Sequence, residues 1–180
     1  WDEEHGGFFD RSRDAAPLGG LDVRRKPLQD SPTPGANSIA AIVLGRLHGY
    51  TGNALYSDRA LWTLETFAGV VPQFGLFAAS FGLAALLHAR HPMQIVVTGA
   101  AGDPAAKKLE DTAAATYRFG KAVLRVTPEQ IAAGALVPAL QQTIPHLRAD
   151  AAQALVCVNA SCLPPITDAQ QLSAALENID

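Results

Sequence analysis

Gln94-Ile95-Val96-Val97, followed by Gly99-Ala100-Ala101-Gly102-Asp103-Pro104, is where the chain changes its period. Upstream, apolar residues recur at helical spacing. Here a short β-branched run meets a glycine turn and then a helix start, with Asp103 as N-cap and Pro104 at the first helical position. The alternation then repeats. A helix reaches about Phe119, Lys121 to Val126 reads as a strand, Pro128 to about Gln142 as a helix, Ala154 to Val158 as a third strand, and Asp168 to Leu176 as a last helix. Thr167-Asp168-Ala169-Gln170 fits a capping box at that last start. Strands alternating with helices predict a small three-stranded parallel α/β unit over residues 92–180, built with right-handed crossovers.

Working back from this stretch, residues 37–91 read as antiparallel helical hairpins. Ile39, Ile42, Val43, Leu47 and Tyr50 follow the capping candidates Asn37 and Ser38, and this helix should stop near Gly49. A second runs from near Leu55 through Leu61, Leu64, Phe67, Ala68 and Val71 to the break at Pro72. The third spans Phe74 to Ala89, with Phe77, Phe81, Ala84, Ala85 and His88 on one face. Ala40, Ala41, Gly45, Ala78 and Ala79 are small enough to let neighbouring helices approach closely. Residues 1–36 are different in kind. Gly6-Gly7, Gly19-Gly20, Pro17, Pro27, Pro32 and Pro34 allow no long helix, so this is a loop-rich opening segment. The fold class is mixed α and β.

With 180 residues, 48% hydrophobic and 17% charged, the chain is globular and long enough to bury most of its apolar surface. Fourteen basic against 17 acidic residues leave a net charge of -3 and no basic footprint, which argues against a nucleic-acid partner. The most apolar stretch, Gly75 to Leu87, is shorter than the roughly 20 residues of a membrane-spanning helix and is broken by Ser80 and Gly82. Two cysteines are too few for a disulfide framework, which favours a reducing, cytoplasmic setting. The chain opens at Trp1 with neither an initiating Met nor a signal peptide, as if cut from a longer protein.

Three clusters carry potential chemistry. In Trp1-Asp2-Glu3-Glu4-His5-Gly6-Gly7-Phe8-Phe9-Asp10, carboxylates could bind sugar hydroxyls while aromatic faces stack on a ring; a solvated acidic turn is the commoner use of such a segment. Arg24-Arg25-Lys26 precedes a helix start, where cations and free amides could clamp an anion, although such clusters more often form local ion pairs. Gly99 to Gly102 lacks the third glycine of a dinucleotide fingerprint and any Lys-Ser/Thr of a P-loop, so no cofactor is expected there. His5, His48, His88, His91 and His146 show no metal-ligand spacing, and hydrolase motifs are absent.

Cys157 and Cys162 lie in Val156-Cys157-Val158-Asn159-Ala160-Ser161-Cys162-Leu163-Pro164-Pro165-Ile166-Thr167-Asp168. Four intervening residues do not suit a thioredoxin dithiol, which wants two, and zinc would need further ligands. A disulfide requires the loop to bring the Cα atoms within about 7 Å; the simpler reading is a pair of structural thiols.

Three segments together resemble the thioredoxin-domain-containing proteins related to the spermatogenesis-associated group. They are Asp2 to Phe9 with its Gly-Gly-Phe-Phe, the run Lys26-Pro27, Asp30 and Asn37-Ser38-Ile39-Ala40-Ala41 leading to Leu47, Thr51-Gly52 and Tyr56, and Cys157, Asn159 and Cys162 with Pro165-Ile166-Thr167-Asp168. The resemblance implies a thioredoxin-like N-terminal domain, an α/α toroid similar to six-hairpin glycosidases and sugar epimerases, and a C-terminal α/β portion. This chain would then be a C-terminal part without catalysis of its own, with glycosidase-like or epimerase-like chemistry in the intact protein. Asp2, His5, Phe8, Asp30 and Asn37 would be ligand-binding residues near the mouth of the cavity. Partners implied are the missing thioredoxin-like domain, the rest of the toroid and a carbohydrate. Ser31 stands where the family pattern has Gly, and Gly35 where it has Ser. Two alternatives remain beside this reading: a module that docks the thioredoxin-like domain, or a redox element made of Cys157 and Cys162.

Overall fold

A computed structural model describes residues 1–16, 19, 22–90, 92–141, 151–159 and 161–179; Pro17, Gly20, His91, Gln142, His146 and Ala160 lie outside these. The chain divides into two units, Trp1–His48 with Ala54–Arg90, and Gly49–Asn53 with His91–Asp180.

In the first unit the described part of residues 1–35 contains no α-helix or β-strand, as its glycines and prolines predict. α1 (Ala36–Thr51) follows and runs on into the second unit, then α2 (Ala54–Ala68) and α3 (Ala79–Ala89). Two 3-10 turns, Val71–Gln73 and Gly75–Ala78, occupy what the sequence suggests is the first turn of the third helix and the approach to it. Pro72 and the positive φ of Gly75 account for the delay. The core is Leu28, Ala41, Leu64, Phe67, Ala78, Phe81 and Ala84. Burying each of the larger side chains contributes about 2 kcal/mol.

The apolar stripe read on α1 faces the core only in part, through Ile42, which packs partly buried against it. Ile39, Val43 and Leu47 are 40%, 48% and 38% exposed, whereas Ala41 and Leu44 are buried. Small side chains let this helix sit close to its neighbours, so Ala41 packs where a larger residue would hold the backbones apart. Asn37 is not the N-cap either; it lies inside α1 and is fully buried.

The second unit is a sheet of four strands: β1 (Met93–Thr98), β2 (Ala122–Val126), β3 (Gln153–Val158) and β4 (Ser161–Cys162), in the order β2-β1-β3-β4. α4 (Pro104–Ala115) connects β1 to its parallel neighbour β2. α5 (Pro128–Ala132) and α6 (Pro138–Gln141) are separate short helices where one continuous helix is predicted, and Gly134, at positive φ, lies between them. α7 (Ala169–Asn178) ends the described fold.

The expected all-parallel sheet is not found, because β3 runs antiparallel to β1 and pairs Met93 with Val158 through to Thr98 with Gln153. The pleat explains why alternation could not tell the two apart. Met93, Ile95 and Val97 share a face with Ala154 and Val156, and that face packs on Ala106, Leu109, Ala113, Leu172 and Leu176 of α4 and α7. Reversing a strand preserves such a face, so burial pattern alone does not report direction. Val96, Val126 and Leu140 form a smaller core with Leu124, Ile131, Leu136 and Val137 packed against it.

The cysteines also depart from expectation. Cys157 and Cys162 are directly opposed in the β3–β4 pairing and joined as a disulfide, with Cα atoms 4.0 Å apart. The reading as free structural thiols is therefore corrected: a tight reversal beside Asn159, at φ 57°, returns the chain in register and closes the distance. Beyond it, Ile166 exchanges backbone hydrogen bonds with Ala154 at 2.7 and 2.8 Å. The cap of α7 is Asp168, whose carboxylate accepts from the Gln170 and Gln171 amides, both at 2.9 Å, in place of the predicted Thr167 box. A capping box does occur, unforeseen, at Thr127 and Gln130.

Candidate functional site

The five residues expected at a cavity mouth all lie in the first unit, but three of them are occupied by the fold itself. Gly6 and Gly7, at φ 71° and 76°, turn the chain back so that the Asp2 amide donates to Gly7 O at 2.9 Å. Inside this turn the Asp2 carboxylate accepts from the Glu4 and His5 amides and pairs with Lys26 at 2.7 Å. The Lys26 ammonium also donates to Gly6 O at 2.6 Å. Its hydrogen bond, reinforced by the Glu4 amide, holds the Asp2 carboxyl well below the usual carboxylate range.

Asn37 is a clamp of the same kind. Its side-chain oxygen accepts from the Phe8 amide at 2.6 Å, and its amide donates to Phe8 O and Pro27 O at 3.0 and 2.9 Å. Asp30 ties two helix starts together. Its carboxylate accepts from the Gly35 amide at 2.6 Å, from the Ser80 amide at 2.8 Å and from the Ser80 hydroxyl, which lowers its pKa, the hydroxyl contributing most. These contacts satisfy carboxylate and carboxamide oxygens that a ligand would otherwise use.

His5 and Phe8 are placed differently. The His5 side chain is 68% exposed and approaches Asp2 at 3.7 Å and Glu4 at 3.9 Å. Phe8 is half-buried and packs edge-on to Trp1, which in turn meets Trp62, at centroid distances of 5.1 and 5.3 Å. Neither residue lines the cavity walled by Trp1 and Phe9.

That cavity is an open cleft of about 570 Å³. Trp1 and Phe9 supply aromatic wall, Glu3 and Asp10 carboxylates, Arg11, Arg13 and Arg24 guanidiniums, and Ser12 a hydroxyl. The two sides of the cleft are stitched together by Asp10 and Arg25, the Asp10 amide donating to Arg25 O at 2.8 Å and the Asp10 carboxylate accepting from the Arg25 amide at 2.9 Å. Arg24 lies over the Phe9 ring at 3.7 Å and donates through Nε to Arg11 O at 3.1 Å. Stacking and hydrogen bonding thus orient one guanidinium along the aromatic wall.

The sequence points to parts of this cleft, since both Trp1 to Asp10 and Arg24 to Lys26 stand out on it. Arg11, Ser12 and Arg13 were missed. Their signal is the polar run directly after Phe8-Phe9, which has meaning only once the chain folds back against Arg24. The cations of the second cluster do not converge on a helix N-terminus: Lys26 is taken by Asp2, and Arg24 by Phe9. In the second unit, Asp103 fills the amides of the α4 N-terminus with its own carboxylate, accepting from Ala105 at 2.8 Å and Ala106 at 3.5 Å. Among the described residues no His, Cys, Asp and Glu group could hold a metal ion, and no helix is long and apolar enough to cross a membrane.

No family model and no solved structure matches the chain. Curated proteins do. Spermatogenesis-associated protein 20 from Homo sapiens is 31% identical over 182 residues, covering 98% of this chain and 22% of the relative. The proteins of the same name from Rattus norvegicus and Mus musculus are 30% and 29% identical over the same extent. The chain therefore spans about a fifth of the length of the relatives it matches.

Proposed function

We propose, on the premise that the chain is related to the spermatogenesis-associated protein 20 family, that it is a non-catalytic portion of a longer protein and presents a saccharide-binding cleft. The observation that carries this reading is the cleft that places Trp1 and Phe9 beside Glu3 and Asp10. Sugar rings offer apolar faces to aromatic side chains and hydroxyls to carboxylates, and both are supplied here in one concavity. The roles divide accordingly: Asp2 and Asn37 brace the chain on either side of the cleft residues through Lys26 and Phe8, and the cleft residues meet the ligand.

In the same reading the first unit is part of a larger helical toroid, and the second packs on further domains such as a thioredoxin-like one. Apolar side chains left in solvent, Val43 on α1 and Leu76 and Phe77 before α3, support a need for more protein around the helices. The test is calorimetric titration of the full-length protein with glucose and short gluco-oligosaccharides. Binding that weakens roughly fivefold or more in Phe9→Ala is expected; absence of saccharide binding, or binding indifferent to Phe9, would remove the proposal.

A second reading has its own observation, the Cys157–Cys162 disulfide, with Cys157 buried on β3 and Cys162 exposed on β4. As a redox element it would be opened by an external thiol to two cysteines. Counting alkylated thiols before and after thiol treatment of the native protein tests it, and a pair that resists reduction until the protein unfolds excludes it.

A further inference from the structure

The charges around the cleft are uneven. Three guanidiniums, Arg11, Arg13 and Arg24, face two carboxylates, Glu3 and Asp10. Each of the other charged groups except Glu3 and Arg13 already has work within the fold: Arg11 pairs with Asp22 at 3.3 Å and donates to Ala16 O at 2.7 Å, Asp10 accepts from the Arg25 amide, and Arg24 is stacked on Phe9. Arg13 makes no hydrogen bond or ion pair among the described residues. An unneutralised guanidinium beside an aromatic wall is suited to a planar or tetrahedral anion, because its fork of donors matches carboxylate and phosphate oxygens. The neighbouring Arg24 presents a second cation that stacking keeps in place.

From this we infer that the cleft selects acidic saccharides, a ring carrying a carboxylate or a phosphate, with Arg13 as the anion-recognising residue and Arg24 as its support. The inference rests on the saccharide reading above and narrows it to one chemical class. A neutral sugar would leave the Arg13 charge uncompensated, whereas an anionic one pairs with it while its ring lies against Trp1 and Phe9.

The test compares four probes on the full-length protein by calorimetry: glucose, glucuronate, glucose 6-phosphate and inorganic phosphate. At least one acidic sugar is expected to bind about tenfold more tightly than glucose, as a charge-assisted pair supplies, and whichever acid is preferred identifies the anionic group. That advantage should vanish in Arg13→Gln, and it should shrink as salt is raised. Equal binding of acidic and neutral sugars would overturn the charge selection and leave the saccharide reading standing. Phosphate binding as tightly as glucose 6-phosphate, with no affinity for glucose or glucuronate, would mark a bare anion site and overturn both, as would no binding of any probe. An acid preference that survives Arg13→Gln would overturn the assignment to Arg13. Circular dichroism and melting of the variant, whose altered side chain has no structural partner among the described residues, separate loss of recognition from loss of fold.

Discussion

Gly35 shows how closely this chain's loops are fitted to their own residues. A Cβ placed there would lie 1.9 Å from the Leu28 carbonyl oxygen, and the Gly35 amide donates to Asp30. The close backbone approach excludes any side chain here. Gly35→Ser is therefore expected to cost about 3 kcal/mol, read as a lower midpoint in urea unfolding; an unchanged midpoint would mean that the loop has another conformation available. Asp30, the acceptor of the same amide, makes the structure acid-sensitive. Its folded-state pKa lies below the ordinary 3.8, so the folded form binds the proton less readily than the unfolded chain does. The resulting stabilisation is complete above about pH 4 and is lost as pH falls through the lower folded value. Asp30→Asn should melt at a lower temperature than the parent at neutral pH and lose less stability between about pH 5 and pH 2. A melting profile as steep in the variant as in the parent would place the acid response elsewhere.

Among the elements, the start of α7 separates two readings that differ by one residue. Thr167 has the right identity for a capping box, but Asp168 makes the bonds to the Gln170 and Gln171 amides. Asp168→Ala is expected to destabilise by about 1 kcal/mol and Thr167→Ala by little; the reverse order in thermal melts would restore the box. From the sequence alone the cap falls one residue early, at Thr167. Where only one residue competes, as at Asp103 with Pro104 behind it, the helix start was legible to the residue. The positions of β1, β2 and β3 were equally clear from their β-branched runs, whereas β4 was not foreseen; strand direction was not legible either, since β3 turns Ala154 and Val156 to one face in either orientation. The disulfide was hidden for a related reason: four intervening residues suit a tight cross-strand reversal, and only the pairing of Val158 with Ser161 shows that Cys157 and Cys162 face each other.

For the whole molecule, composition and period give the mixed α and β class and its helical and strand-bearing stretches, while function depends on tertiary meetings that no local pattern contains. Asp2, Asp30 and Asn37 are polar residues in or beside a loop-rich segment, where local sequence does not tell binding from bracing; in the fold each has partners within the chain. The cleft residues Arg11 and Arg13 acquire significance only where the chain returns alongside Arg24. Relatedness to spermatogenesis-associated protein 20 spans nearly the whole chain but only 22% of that protein, so the cleft must be tested in its full-length setting. Hydrogen exchange of the full-length protein with and without saturating acidic saccharide does this most directly. The account predicts slower exchange in peptides covering Phe8 to Arg13 and Val23 to Arg25, with the β3 and β4 peptides unchanged. Protection confined to other parts of the protein, with the Phe8 to Arg13 peptides exchanging as before, would contradict it.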